Sequence, residues 1–167
     1  MKPLIVDNFI DQQSFQHLKN IMFGKNFCWN YSDTIDYADD EDKFQFIHSF
    51  YKENIGPESV HYGALSSILQ RLRIKEIYRI KANLVTRTSE IVPNRFHTDI
   101  QGNWGVMPYI TSILYMNTNN GYTEFEDGTK VESVANRFIS FPIETKHRGT
   151  SCTDEKVRVV INFNYLT

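Results

Sequence analysis

Cysteine is scarce in this chain. Cys28 and Cys152 are the only two, they stand far apart, and their spacing is of no metal-binding type. A disulfide is unsupported, and two thiols in a reducing cytosol is the simpler reading. Excess charge is missing as well. The formal net charge is −2 and the isoelectric point lies near 6.2. The chain thus offers no basic field to hold a phosphate backbone, and nucleic acid is disfavoured as a partner. The single charge run, DYADDEDK over residues 36–43, reads as an acidic solvated loop. Long apolar runs are absent. The opening MKPLIVDNFI has one Lys and a short apolar run cut by Asp7 and Asn8, too short and too polar for a signal peptide or a membrane span. The expectation is a soluble cytoplasmic protein with no membrane partner. No repeat, low-complexity tract or linker divides the 167 residues, a length that fits one domain with a sizeable core.

Aromatic residues are plentiful, with twelve Phe and nine Tyr. That load favours β-rich packing and argues against disorder. KPLIVDNFID begins with a short strand-like run. DQQSFQHLKNIMF follows with Phe15, Leu18, Ile21 and Met22 at helical spacing, and Asp11 or Ser14 can cap it. KFQFIHSFY alternates, so Phe44, Phe46, His48 and Phe50 share one face of a strand. GALSSILQRLRI reads as a second helix with Leu65, Ile68, Leu69 and Leu72 on one side. From residue 76 onward eight short strand-like segments follow one another, among them EIYRIKANLVT, RFHTDI, YITSILYMN, KHRGT and KVRVVINFNYL. NTNNGY and EDGTK are turn signals, the second a hairpin with Asp127-Gly128 at its tip. This pattern predicts a mainly β fold, a double-sheet jelly roll (double-stranded β-helix) with two N-terminal helices packed on one sheet. A mixed α+β sandwich of another topology is the alternative. Residues 1–75 would form a strand–helix support and residues 76–167 the jelly-roll core.

The chemistry begins at PNRFHTDIQGNWG, residues 93–105, where His97 and Asp99 are one residue apart. Alone, a His-x-Asp pair is a weak signal. In an extended segment both side chains point the same way. Of the other histidines, His17, His48 and His61 read as surface or satisfied core residues. His147 follows a strand and a break, in a region that can sit across a jelly roll from the His97 segment. Two imidazoles and one carboxylate on one face of a metal suit non-haem Fe(II) in an oxygenase, and Zn²⁺ accepts the same ligands. The last strand adds a polar face of Arg158, Asn162 and Asn164 around Val160, set against a core face of Val157, Val159, Ile161, Phe163 and Tyr165. A buried guanidinium at Arg158 wants a bidentate anion, and a dicarboxylate would serve. Tyr115, sharing a face with Ile113 and Asn117, can offer its hydroxyl to the same carboxylate.

The order of His97-x-Asp99, TSILYMN, GYTEFEDG, NRFISFP, His147 and Arg158 resembles the Fe(II)- and 2-oxoglutarate-dependent dioxygenases, and within them the prolyl-4-hydroxylase-like subgroup. The similarity covers residues 76–167. It implies that His97, Asp99 and His147 ligate iron, that Arg158 clamps the distal carboxylate of 2-oxoglutarate, and that Tyr115 is its hydroxyl partner. The implied reaction consumes O₂, decarboxylates 2-oxoglutarate to succinate and CO₂ and hydroxylates a substrate C–H bond, with ascorbate as an accessory reductant. Some prolyl hydroxylases clamp with Lys, which makes Lys156, of the same parity as Arg158, a fallback. Nucleobase-repair members carry a second Arg six residues after the first, where this chain has Asn164. A carboxylate at Asp99 also departs from the halogenating variant. The subgroup implies a protein substrate, perhaps a peptidyl proline, with a small molecule left open. Asn83, Arg95, Trp104 and Asn162 are candidate substrate or supporting residues, with Lys81 on the same face as Asn83. Arg148 is expected at the surface or behind the ligands. Loops around residues 31–43 and 86–106 would read the substrate. Two other readings of the same ligands are a non-catalytic metal-binding jelly roll and a Zn²⁺ hydrolase, the latter giving Arg158 no natural task.

Overall fold

The computed structural model describes residues 2–35, 43–100 and 109–167; Trp104 and most of the acidic run lie outside them. The chain runs β1 (Leu4–Val6), α1 (Gln12–Met22), β2 (Asn30–Ser32), β3 (Gln45–Lys52), β4 (Gly56–Pro57), a 3₁₀ turn (Tyr62–Leu65) and α2 (Ser66–Leu72). It continues through β5 (Glu76–Thr86), β6 (Tyr109–Tyr115), β7 (Tyr122–Phe125), β8 (Lys130–Glu132), β9 (Phe138–Pro142), β10 (His147–Gly149) and β11 (Val157–Leu166). Two antiparallel sheets result. The larger has the order β1-β9-β6-β11-β5-β3-β2, with β4 beside β3, and the smaller has the order β10-β7-β8. Residues 93–97 extend the smaller sheet by isolated bridges, Pro93 to Thr150 and His97 to His147. The fold is the expected jelly roll, a mainly β double-stranded β-helix.

Several local expectations need adjustment. RFHTDI is not a strand; only His97 pairs in it, because the chain turns away at Asp99 and Ile100. The second helix starts as a 3₁₀ turn and ends at Arg73, which adopts a left-handed φ of 49°. Asp11, not Ser14, caps α1, its carboxylate accepting the Ser14 N–H at 2.9 Å. Phe44 lies ahead of β3 and is exposed, while Phe50 from the same parity is buried. The hairpin tip is as expected: Gly128 takes φ +83° and Asp127 accepts the Thr129 N–H.

Alternation decides which face does what. Ile80 and Ala82 of β5, Leu114 of β6, and Val159, Ile161 and Phe163 of β11 point outward. There they bury Phe15, Leu18 and Met22 of α1, together with Leu65 and Ile68 from the second helical segment. Both helices therefore cover one face of the larger sheet. The opposite face looks toward the smaller sheet. Ile113, Tyr115, Ile139, Phe141 and Val160 pack there against Phe125 and Val131. Register places the remaining inward residues side by side. Asn164 stands opposite Arg79 and Thr111, Asn162 opposite Lys81 and Ile113, Val160 opposite Asn83 and Tyr115, and Arg158 opposite Val85. A polar cleft thus opens between the sheets. Among the described residues no helix is long and apolar enough to cross a membrane.

Candidate metal centre and its cleft

The bridge between the two sheet edges sets the first two ligands. His97 and His147 exchange backbone hydrogen bonds, each N–H donating to the other carbonyl at 3.0 Å. The ring of His97 also donates from Nδ1 to the Arg95 carbonyl at 3.2 Å, and that of His147 to the Thr145 carbonyl at 3.1 Å. A carbonyl only accepts, so each Nδ1 carries a proton, and in the neutral ring Nε2 is the atom with the lone pair. Both Nε2 atoms lie 3.8 Å from Asp99 Oδ1. The three donor atoms stand within 4.8 Å of one another. Phe141 and Phe125 wall the His147 ring at centroid distances of 4.8 and 6.3 Å.

Asp99 has a side chain only 3% exposed, yet it is anionic. Burial opposes its ionisation, but His147, Arg79, the Asn164 hydrogen bond and His97 outweigh burial and hold its pKa to about 2. His147 itself is pushed below the ordinary histidine value by burial, against the pull of Asp99. At neutral pH its ring is therefore neutral, and the partners that favour the carboxylate without any histidine charge are Arg79 and the amides of Asn164 and Asn162, the latter donating from Nδ2 to Oδ1 at 3.3 Å. An anionic oxygen and two imidazole lone pairs converging on one point are the donor set that a divalent first-row metal takes. His97, Asp99 and His147 therefore fit such an ion.

Arg158 lies in the same cleft, 5% exposed. Its Nε donates to Ser133 Oγ at 2.9 Å and its Nη2 to Thr123 Oγ1 at 3.1 Å. Among the described residues no carboxylate pairs with it. Burial lowers its pKa, and Tyr115 and Cys152 only partly offset this. A cation held by two hydroxyls alone is under-compensated, and an anionic ligand would complete it. Tyr115 is close but does not line the cleft. Its ring lies 5.6 Å from the guanidinium, and its hydroxyl donates to Thr123 Oγ1 at 2.8 Å. Thr123 Oγ1 accepts from both Tyr115 and Arg158, so its own O–H remains to donate into the cleft. Two glycines make room here. A Cβ on Gly121 would stand 2.8 Å from Arg158 Cδ and 2.6 Å from the Ser151 carbonyl, and one on Gly149 would stand 3.3 Å from Arg158 Nη1.

Asn83 and Asn162 both line the cleft, and the side-chain oxygen of each is buried with no hydrogen-bond partner among the described residues, while Asn162 Nδ2 donates to Asp99 Oδ1 at 3.3 Å. Lys81 lines it too. Arg95 is exposed, and its backbone carbonyl accepts from the His97 ring. Lys156 is exposed ahead of β11, which removes it as the clamp. Arg148 pairs with Glu124 at 2.7 Å and covers the Phe96 ring, as expected of a supporting residue. His17, His48 and His61 stay outside the cleft, His48 bridging the Cys28 carbonyl and Ser59. Sequence reasoning did not single out Asn94, Thr123, Ser133 or Arg79. Only the register, which no local pattern announces, brings them to the site.

The sheets and the site between them define a double-stranded β-helix with a His-Asp-His cluster in its mouth. The sequence matches no protein-family model and no curated relative. Solved structures share the fold. A prolyl hydroxylase from Trichoplax adhaerens, in complex with a hypoxia inducible factor oxygen degradation domain peptide fragment, matches with TM-score 0.64 at 12% identity, over 98% of this chain and 83% of that one. A Pseudomonas putida prolyl-4-hydroxylase matches with TM-score 0.59 at 15% identity, over 98% and 91%. The non-heme alpha ketoglutarate dependent carbocyclase SnoK from nogalamycin biosynthesis matches with TM-score 0.64 at 12% identity, over 98% and 79%. The chain therefore has the fold of the 2-oxoglutarate-dependent oxygenases, prolyl hydroxylases among them.

Proposed function

We propose that this protein is an Fe(II)- and 2-oxoglutarate-dependent dioxygenase that hydroxylates a C–H bond of a protein side chain, such as proline, or of a small molecule. The observation that carries the reading is the pairing of two incomplete features in one cleft. Two imidazoles and an anionic carboxylate converge as metal donors, and beside them stands a buried Arg158 that no carboxylate among the described residues pairs with. A dicarboxylate that also chelates a metal satisfies both. A Zn²⁺ hydrolase leaves Arg158 without a task, and a passive metal store leaves the whole cleft without one.

In this reading His97, Asp99 and His147 hold Fe(II), and Arg158 with the Thr123 hydroxyl holds the distal carboxylate of 2-oxoglutarate. Tyr115 orients Thr123 and lies beside the guanidinium. When bound, Fe(II) with 2-oxoglutarate and O₂ would supply the oxidising power, 2-oxoglutarate going to succinate and CO₂ with one oxygen atom in succinate and the other in the substrate's new hydroxyl. The polypeptide contributes orientation and a dry wall. Phe125 and Phe141 exclude water behind His147, and the amides of Asn83 and Asn162 face the space left for a ligand. Ascorbate would serve only to keep the iron reduced. The fold similarity to prolyl hydroxylases supports a peptide substrate, and the similarity to SnoK supports a small one.

The test is turnover of 2-oxoglutarate without a prime substrate. Fe(II)-loaded protein in air should form succinate slowly, and neither the His147→Ala variant nor protein with zinc in place of iron should do so. Succinate formation that survives in His147→Ala would remove the proposed centre.

A further inference from the structure

Asn164 is the most completely bonded side chain around the centre, and nothing in the proposed reaction yet uses it. It is fully buried. Its Nδ2 donates to Asp99 Oδ2 at 2.9 Å and to Thr111 Oγ1 at 3.0 Å. Its Oδ1 accepts from Arg79 Nε at 3.2 Å. Two donors and one acceptor are all engaged, and the arrangement settles the amide orientation, since both carboxylate and guanidinium contacts would fail if it were flipped. Arg79 closes the loop by donating from Nη2 to the Asp99 backbone carbonyl at 3.1 Å.

The two carboxylate oxygens of Asp99 are therefore unequal. Oδ2 faces an amide donor fixed by three strands, because Asn164, Arg79 and Thr111 are cross-strand partners on β11, β5 and β6. Oδ1 is the oxygen 3.8 Å from both imidazole Nε2 atoms, and its own amide contact, from Asn162 Nδ2, is longer at 3.3 Å and comes from a side chain whose oxygen makes no hydrogen bond among the described residues. We propose that Asn164, steadied by Thr111 and Arg79, is a positioning residue that withholds Oδ2 from the metal, so that Asp99 binds through Oδ1 alone. A carboxylate free to turn would offer both oxygens and occupy a coordination position that cosubstrate or O₂ needs. The inference rests on the proposed metal site, and holding that carboxylate is the task it assigns to Asn164.

The test uses metal-free full-length protein, with Mn(II) affinity read by titration and Co(II) read by its visible absorption. Asn164→Leu keeps the volume and removes the amide. It should weaken Mn(II) binding about 10–100-fold, the usual effect of losing a group that orients a ligand. It should also shift the Co(II) spectrum relative to wild type, which loss of packing alone would not do. Thr111→Val keeps the shape and removes one anchor of the amide, so it should move both readouts in the same direction by less. It also decides the matter if Asn164→Leu does not fold. A folded variant with unchanged Mn(II) affinity and an unchanged Co(II) spectrum would overturn the role of Asn164 while leaving the metal site intact. Wild-type protein that binds neither ion would overturn the metal site itself, and this inference with it.

Discussion

At the scale of single residues, the site turns on buried polar and charged side chains. Arg158 is the sharpest case, a buried cation held by Ser133 and Thr123. Truncation to Ala should raise the 2-oxoglutarate dissociation constant by about thirtyfold or more, corresponding to roughly 2–5 kcal/mol for one half of a buried charge pair. Metal affinity should change little, and calorimetry on the metal-loaded protein separates the two. Gly121→Ala should act on the same residue from behind. Its Cβ would meet Arg158 Cδ and the Ser151 carbonyl below 3 Å, so it should cost about 1–3 kcal/mol in denaturant unfolding and weaken 2-oxoglutarate binding as well. Asn136 is a purely structural counterpart. It adopts φ 62°, and its amide both donates to the Ile10 carbonyl and accepts the Ile10 N–H. Asn136→Ala should therefore cost about 2–3 kcal/mol without altering metal affinity. His97, Asp99, His147 and Arg158 were legible in the sequence because each is a chemically demanding residue type in a telling order. Thr123 was not, and Asn164 was legible only as an inward polar residue of the last strand, because what each does lies in what stands across the sheet from it. Tyr115 was legible as a neighbour of Arg158, but its hydroxyl is committed to Thr123.

At the scale of elements, β5 and β11 matched their sequence segments almost residue for residue, since ten or more residues of period two leave little choice of face. The polar and apolar faces of β11 separate as alternation requires. What escaped were β2 and β4, three and two residues long, which have too few positions to show any period. The His97 segment also misled: its extended character comes from isolated bridges to His147 of β10 and to Thr150 just after it, and the ligands converge because the chain turns after His97. The helices are held by burial more than by intrinsic preference. Leu18 of α1 is fully buried against the larger sheet, and Leu18→Ala should lower the unfolding free energy by about 2–5 kcal/mol. The cleft residues sit on the opposite face of that sheet, so metal binding by the fraction still folded should persist.

At the scale of the molecule, the fold buries two histidines, His147 between the sheets and His48 against Phe27 and Phe50 on the helix side. Burial pushes both His147 and His48 below the ordinary value of 6.5. In the unfolded chain each takes up a proton near that pH, whereas the folded chain resists. Stability is thus fully present above about pH 6.5 and declines as pH falls below it, by up to about 1.4 kcal/mol per unit for each group. Asp99, held to about 2 against an ordinary 3.8, adds a loss only at lower pH, as its unfolded form begins to protonate. Denaturant unfolding of the metal-free protein at pH 7.5 and 5.5 should show the first decline, and equal stability at both would contradict it. The most direct measurement of the central claim is anaerobic. Fe(II) is added to metal-free protein, 2-oxoglutarate is titrated in, and the weak visible charge-transfer band of the chelate is followed, with Arg158→Ala run alongside. The account predicts a saturable band in the wild type that needs far more 2-oxoglutarate in the variant. Iron bound with no band at any concentration, or a band whose midpoint ignores Arg158, would contradict it.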